Sequence, residues 1–154
     1  MVVISTRLTA SLLTAIAAYT GYAIPGEPPS ITVLPHDDLA RQVCGQPCAV
    51  LGFTRADGEI LLDQALDIDR DPVATSILVH EMTHFLQIRS ASTPEILDCQ
   101  SWRKREREAY DVQVHWLRDT APSMAAFAVE MRRLAWKNVV PPCPKTARAP
   151  ADIR

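Results

Sequence analysis

The segment from Ile77 to Ile88 constrains the fold most, because apolar residues occupy nearly every side of the helix that it would form. A helix of that kind has to be buried. It nevertheless carries His80, Glu81 and His84, although an unpartnered polar group in a protein interior costs several kcal/mol. The sequence therefore predicts a buried helix whose polar side chains serve a purpose at one place in the core.

This helix has a clear start and a recognisable pattern. Asp71 is a favourable N-cap and Pro72 suits the first helical position, so the helix is predicted to run from there to about residue 88. His80 and His84 are four residues apart on one face, which lets both imidazoles bind one ion. Glu81 lies about 100° further round and suits a base rather than a ligand. The H-E-x-x-H pattern predicts a metal site.

A catalytic metal site of this type needs a third protein ligand. The residues after His84 contain neither the glycine nor the third histidine of the metzincin pattern. A second long helix, predicted over Thr93–Arg118, offers Glu106 and Glu108. Glu106 projects from the apolar face of that helix, whereas Glu108 shares a side with Lys104 that we expect to be solvated. Glu106 is therefore the predicted third ligand, and Glu108 is the alternative.

The two motifs together resemble those of the gluzincins, a group of zinc metallopeptidases with H-E-x-x-H on one helix and a glutamate on the next. The segment His80–Gln87 reads H-E-M-T-H-F-L-Q, and Glu106–Gln113 reads E-R-E-A-Y-D-V-Q. The second fits the gluzincin pattern E-x-x-A/S-D except at Tyr110. Both longer strings look like small bacterial families with an H-E-x-x-H-x-x-Q signature. The resemblance covers roughly Ile60 to Gln113.

The resemblance implies hydrolysis of a peptide or protein substrate at Zn²⁺ held by His80, His84 and Glu106. Glu81 would take a proton from a zinc-activated water and pass it to the leaving amine. Tyr110 replaces an aspartate that hydrogen-bonds a ligand histidine in the family, so we expect the Tyr110 hydroxyl or another residue to do this. Tyr110 is also the first candidate for a hydrogen-bond donor to the tetrahedral oxyanion.

His115 is a second, weaker candidate for that donor. An alternative function is a zinc-binding interaction module, catalytically weak or inactive, that binds a peptide or protein. A third is zinc-dependent hydrolysis of some other amide, such as a cell-wall cross-link.

Family likeness also implies that the strand before the metal-binding helix is an exposed sheet edge, along which an extended peptide lies. The predicted substrate-binding residues are Glu59, Ile60, Leu61 and Leu62. Such an edge offers unpaired backbone N–H and C=O groups.

A chain of 154 residues is long enough for one domain with a core. We predict an α+β fold with a minimal zincin-like core over residues 1–140 and a Pro-rich tail over 141–154. Residues 1–23 read as an amphipathic helix of the fold or as a signal-like segment. The other predicted elements are a strand at Ile31–Pro35, a short helix at Asp37–Val43, a hairpin of Ala49–Thr54 and Glu59–Leu62, and a third long helix at Pro122–Lys137.

Four cysteines allow three disulfide pairings. If Cys44 closes locally on Cys48, Cys99 is left to pair with Cys143. The alternative is four buried free thiols in a cytosolic protein. Disulfides would favour a periplasmic or secreted location.

The charge balance excludes some partners. Sixteen Lys and Arg against eighteen Asp and Glu give a net charge of −2, which does not favour binding to nucleic acid. The basic stretch Arg103–Glu108 is interrupted by two glutamates and reads as a solvated helix face. The N-terminal apolar run contains too many threonine and serine residues for a stable membrane span. The sequence leaves the oligomeric state and the identity of the substrate open.

Overall fold

The computed structural model describes residues 4–90, 98–140 and 142–143, and in these parts of the chain it shows an α+β fold. The predicted fold class is confirmed. The elements in chain order are α1 (Thr6–Thr20), β1 (Ile31–Leu34), α2 (His36–Cys44), β2 (Gly52–Thr54), β3 (Ile60–Asp63), α3 (Pro72–Ser90), α4 (Cys99–Thr120), a 3-10 turn (Pro122–Met124) and α5 (Ala125–Asn138).

The small sheet has the order β1-β3-β2, so β3 is its central strand. β1 runs parallel to β3, and β2 pairs antiparallel with β3 through the predicted hairpin. The prediction that Glu59–Leu62 forms an exposed edge is therefore wrong. The residues Ile60, Leu61 and Leu62 are at most 2% exposed. Three apolar residues in a row fill both faces of a central strand.

Among the described residues, β2 pairs only with β3 and is therefore an edge strand of the sheet. It lies beside α3. β2 is joined to β3 by a turn in which the Gly58 N–H donates to the Arg55 carbonyl. Gly58 has a φ of 92°, a conformation that favours glycine.

Helix α1 is part of the hydrophobic core. The Ser5 hydroxyl accepts from the backbone N–H of Leu8 and caps the helix. Leu12, Leu13 and Ile16 are buried in one cluster with residues of α3, β3 and α4. None of the helices in the described parts of the chain combines the length and the hydrophobicity that a bilayer crossing requires.

Among the described residues, helices α3 and α4 pack against each other more extensively than any other pair of helices. Helix α4 begins at Cys99, because Asp98 is extended and its side chain accepts from the N–H of Ser101. The predicted start at Thr93 falls in residues 91–97, which lie outside the described residues. Deep in the interface, the Gln113 side chain donates to the hydroxyl of Ser76 at 3.0 Å. The two helices are thereby fixed side by side along the stretch that carries the metal motif.

Two disulfides are present, and they follow the predicted pairing. Cys44 bonds to Cys48 across the end of α2. Cys99, the first residue of α4, bonds to Cys143 beyond α5. The alternative of four free thiols is wrong.

The basic stretch of α4 contributes to packing. The guanidinium carbons of Arg103 and Arg107 lie 5.0 and 4.9 Å from the ring centre of Trp136 on α5. Cation–π contacts of this kind help to hold α5 against α4.

Candidate metal centre

Three side chains converge between α3 and α4. His80 and His84 project from one face of α3, and Glu106 projects toward them from α4. The Nε2 atoms of the two histidines are 3.1 Å apart. Glu106 Oε1 lies 3.2 Å from His84 Nε2, and its Oε2 lies 3.4 Å from His80 Nε2. All three predicted ligands therefore meet at one point.

These separations fit a metal ion. In a tetrahedral site with bonds of about 2.0–2.1 Å, neighbouring ligand atoms are about 3.3 Å apart. The two Nε2 atoms come within about 0.2 Å of that spacing, and each histidine lies at a similar distance from a different oxygen of the Glu106 carboxylate. The group is also largely shielded from water, since His80 is 8% exposed. The three side chains could therefore hold a metal ion.

The charges of the three ligands are strongly coupled. Burial alone would lower the pKa of His84, but the Glu106 carboxylate, helped by Glu81 and Gln87, raises it to about 9. Burial alone would raise the pKa of Glu106, but the two histidines hold it well below its usual range. Without a metal, His84 is therefore protonated at neutral pH and forms an ion pair with the Glu106 carboxylate.

This coupling predicts that metal binding releases a proton. His84 must lose its proton before it can bind a metal, so this step alone should raise apparent affinity about tenfold per pH unit below 9 and add nothing above it. Calorimetric titration with Zn²⁺ at pH 8, in two buffers of different ionisation enthalpy, should detect about two protons released per metal bound, one from His84 and one from the water that zinc ionises. With an ordinary histidine, already neutral at pH 8, only the proton of the water, about one per metal, would be released. That second outcome would contradict the ion pair.

Glu81 lies beside the ligands and is not one of them. It is 7% exposed, and the Thr54 hydroxyl lies 2.8 Å from its Oε2 and 2.9 Å from its backbone oxygen. Gly52 leaves room for the carboxylate: a Cβ at this position would come within 2.9 Å of Glu81 Oε1 and 2.8 Å of its Cγ. The sequence did not identify Thr54 and Gly52 as site residues, because there they are only members of a β-prone run, Ala49–Thr54.

Tyr110 packs on a ligand instead of hydrogen-bonding it. Its ring centre lies 4.4 Å from that of His80, with the rings inclined at 60°. His80 Nδ1 is buried and has no hydrogen-bond partner among the described residues. The expectation that the Tyr110 hydroxyl bonds a ligand histidine is therefore wrong, because the aromatic ring occupies the space beside His80.

The Tyr110 hydroxyl nevertheless stays protonated. Burial raises the pKa of Tyr110, and the carboxylates of Glu106 and Glu81 raise it further. A hydroxyl of this kind is a hydrogen-bond donor over the whole working pH range. The weaker candidate, His115, is exposed and stacks on Tyr19 at 4.8 Å between ring centres, on another face of α4.

Glu108 does not lie on a solvated face, contrary to the prediction. It is half-buried and accepts from the side chain of Gln87 at 2.8 Å and from the hydroxyl of Tyr22 at 2.7 Å. The chain that follows α1 covers this side of α4, which a helical wheel cannot reveal. Gln87 in turn lies 2.8 Å from His84 Nδ1, so the structure places Glu108 behind the metal centre rather than in it.

The chain matches no protein-family model, no curated protein and no solved structure. The case for a function therefore rests on the two motifs and on the geometry that joins them.

Proposed function

We propose that this protein is a zinc-dependent metallopeptidase that hydrolyses peptide bonds. The observation that supports it best is the convergence of His80, His84 and Glu106 on one place, with the carboxylate of Glu81 next to them. Two imidazoles and one carboxylate form a ligand set of catalytic zinc sites, in which the fourth position is left for water or substrate. Zn²⁺ is therefore the proposed cofactor.

When bound, zinc lowers the pKa of a water molecule to about 7 and polarises the scissile carbonyl. Glu81 accepts the proton of the attacking water and later transfers it to the leaving amine. Thr54 holds the Glu81 carboxylate in place for both steps. The protonated Tyr110 hydroxyl would be available to donate a hydrogen bond to an oxyanion formed beside His80.

The edge of β2 replaces Glu59–Leu62 as the proposed substrate-binding strand. Gly52 and Thr54 face Glu81, so a peptide paired with the free edge of β2 passes close to the base. Leu51, just before the strand, is 42% exposed and offers an apolar contact to a substrate side chain. The proposed substrate is an extended segment of a peptide or an unfolded protein.

This arrangement predicts a strong effect of Gly52→Ala. The added methyl group would meet Cγ and the carboxylate of Glu81, so that side chain would have to change its rotamer and hydrolysis should fall roughly 100-fold. Zinc affinity and melting temperature should stay near the wild-type values. Gly26→Ala is the matched control, because no atom lies within 4 Å of a Cβ at that position. Equal activity of the two variants would contradict the proposed role of Gly52.

The direct test of the function is turnover of a fluorescently labelled unfolded protein. The zinc-loaded protein should release labelled peptides, a chelator should stop the release, and added zinc should restore it. Cleavage that persists in the chelator would refute zinc catalysis.

The second candidate function is a zinc-binding module that binds peptides without cleaving them. It is favoured by His80 Nδ1, which lacks the carboxylate partner that usually orients a ligand histidine. In that case the zinc-loaded protein would bind an extended peptide and leave it intact. Under either function, the two disulfides support an extracytoplasmic location, periplasmic or secreted.

A further inference from the structure

A chain of hydrogen bonds leads away from the metal centre on the His84 side. His84 Nδ1 lies 2.8 Å from Gln87 Oε1, and Gln87 Nε2 lies 2.8 Å from Glu108 Oε2. The same nitrogen lies 3.1 Å from the carbonyl oxygen of Arg105. The Tyr22 hydroxyl donates to Glu108 Oε2 at 2.7 Å. The chain joins α3 and α4 to the segment that follows α1.

The partners of Gln87 determine which way its amide group points. Glu108 and the Arg105 carbonyl both offer only acceptors at this place, so the amide nitrogen, with its two N–H donors, has to face them. The amide oxygen therefore faces His84. Gln87 is 4% exposed, which leaves little room for another orientation.

We propose that Gln87 fixes a proton on Nδ1 of His84 and thereby leaves the lone pair of His84 Nε2 for the metal. A carbonyl oxygen only accepts hydrogen bonds, so the Nδ1 atom that faces it must carry the hydrogen. Gln87 is thus a positioning residue, and Glu108 with Tyr22 holds it in place. This inference rests on the proposed metal site.

The two ligand histidines differ in this respect. His84 is oriented by Gln87, whereas His80 Nδ1 has no partner among the described residues and His80 is held by the ring of Tyr110. The glutamine of the H-E-x-x-H-x-x-Q string therefore acts on the second histidine of the motif. It does for His84 what a carboxylate commonly does for a metal-binding histidine.

The test compares zinc affinity in Gln87→Leu and Gln113→Leu, measured by competition with a chromophoric chelator. Both substitutions remove a buried glutamine from the α3–α4 interface, but the amide of Gln113 bonds Ser76 and not a proposed ligand. Gln87→Leu should weaken zinc binding 10- to 100-fold, and Gln113→Leu should change it less than about threefold. Similar losses in both variants, or none in Gln87→Leu, would overturn the proposal.

The proton on His84 Nδ1 can also be observed directly in the wild-type protein. In the zinc-loaded protein, nitrogen-15 NMR should show a hydrogen on His84 Nδ1 that exchanges slowly with water, because Gln87 accepts from it in a buried place. A His84 ring bound to zinc through Nδ1 would overturn the proposal. If the wild-type protein binds no zinc at all, the proposed function fails, whereas normal zinc binding with an unchanged Gln87→Leu affinity refutes only the role of Gln87.

Discussion

The Glu81→Gln protein is expected to hydrolyse an unfolded protein about 10³-fold more slowly than the wild type and to bind zinc equally well. Glutamine has the size of glutamate, and its amide oxygen can still accept from the Thr54 hydroxyl. It cannot accept a proton from water, so catalysis loses its base. The ligand atoms belong to three other side chains, which the substitution leaves in place.

Activity and metal content have to be measured on the same preparation. Glu130→Gln serves as the control, since Glu130 is an exposed residue of α5 that pairs with Arg133. The control should keep full activity. Undiminished hydrolysis by Glu81→Gln would refute the mechanism, whereas zinc lost together with activity would mean that Glu81 supports the metal.

The Glu106→Ala protein is expected to lose zinc. A complete zinc site provides about 10–16 kcal/mol of binding free energy, so one of four ligands accounts for roughly 3–4 kcal/mol and a 10²- to 10³-fold change in affinity. Glu106→Gln keeps the volume of the side chain and should be nearly as weak, because it lacks the negative charge. Its use separates the loss of a ligand from the loss of packing.

Zinc affinity of both Glu106 variants can be compared with that of the wild type by chelator competition. Glu130→Gln is again the surface control. Equal affinity in Glu106→Ala and in the wild type would overturn the assignment of the third ligand. If Glu106→Ala loses zinc and Glu106→Gln keeps it, the site depends on the volume of the side chain and not on the carboxylate.

The convergence of His80, His84 and Glu106 could be predicted from the sequence because its information is local. H-E-x-x-H fixes two ligands on one helix face, and the buried stripe around Glu106 selects it over Glu108 without knowledge of the rest of the chain. The helical period carries such information, since residues four apart always meet. The disulfide pairing was likewise favoured by the short separation of Cys44 and Cys48.

The errors concern contacts between distant segments. The edge assignment of Glu59–Leu62 relied on a family likeness, although the unbroken apolar run of Ile60, Leu61 and Leu62 is typical of a central strand. Strand β1 pairs in parallel with β3, and Ile31 lies opposite Ile60, 29 residues later in the chain. The periodicity of the sequence does not predict a pairing between segments so far apart. The burial of Glu108 depends on Tyr22 in the same way.

The bond between Cys99 and Cys143 has a practical consequence for every experiment on the metal centre. It joins two residues that are 44 positions apart. The bond lowers the conformational entropy of the unfolded chain and should raise the free energy of unfolding by about 4 kcal/mol. It also secures the first residue of the helix on which Glu106 lies about two turns later. Thiol reductants in a buffer would therefore act twice, by removing zinc and by releasing this end of α4. Purification and assay should proceed without them.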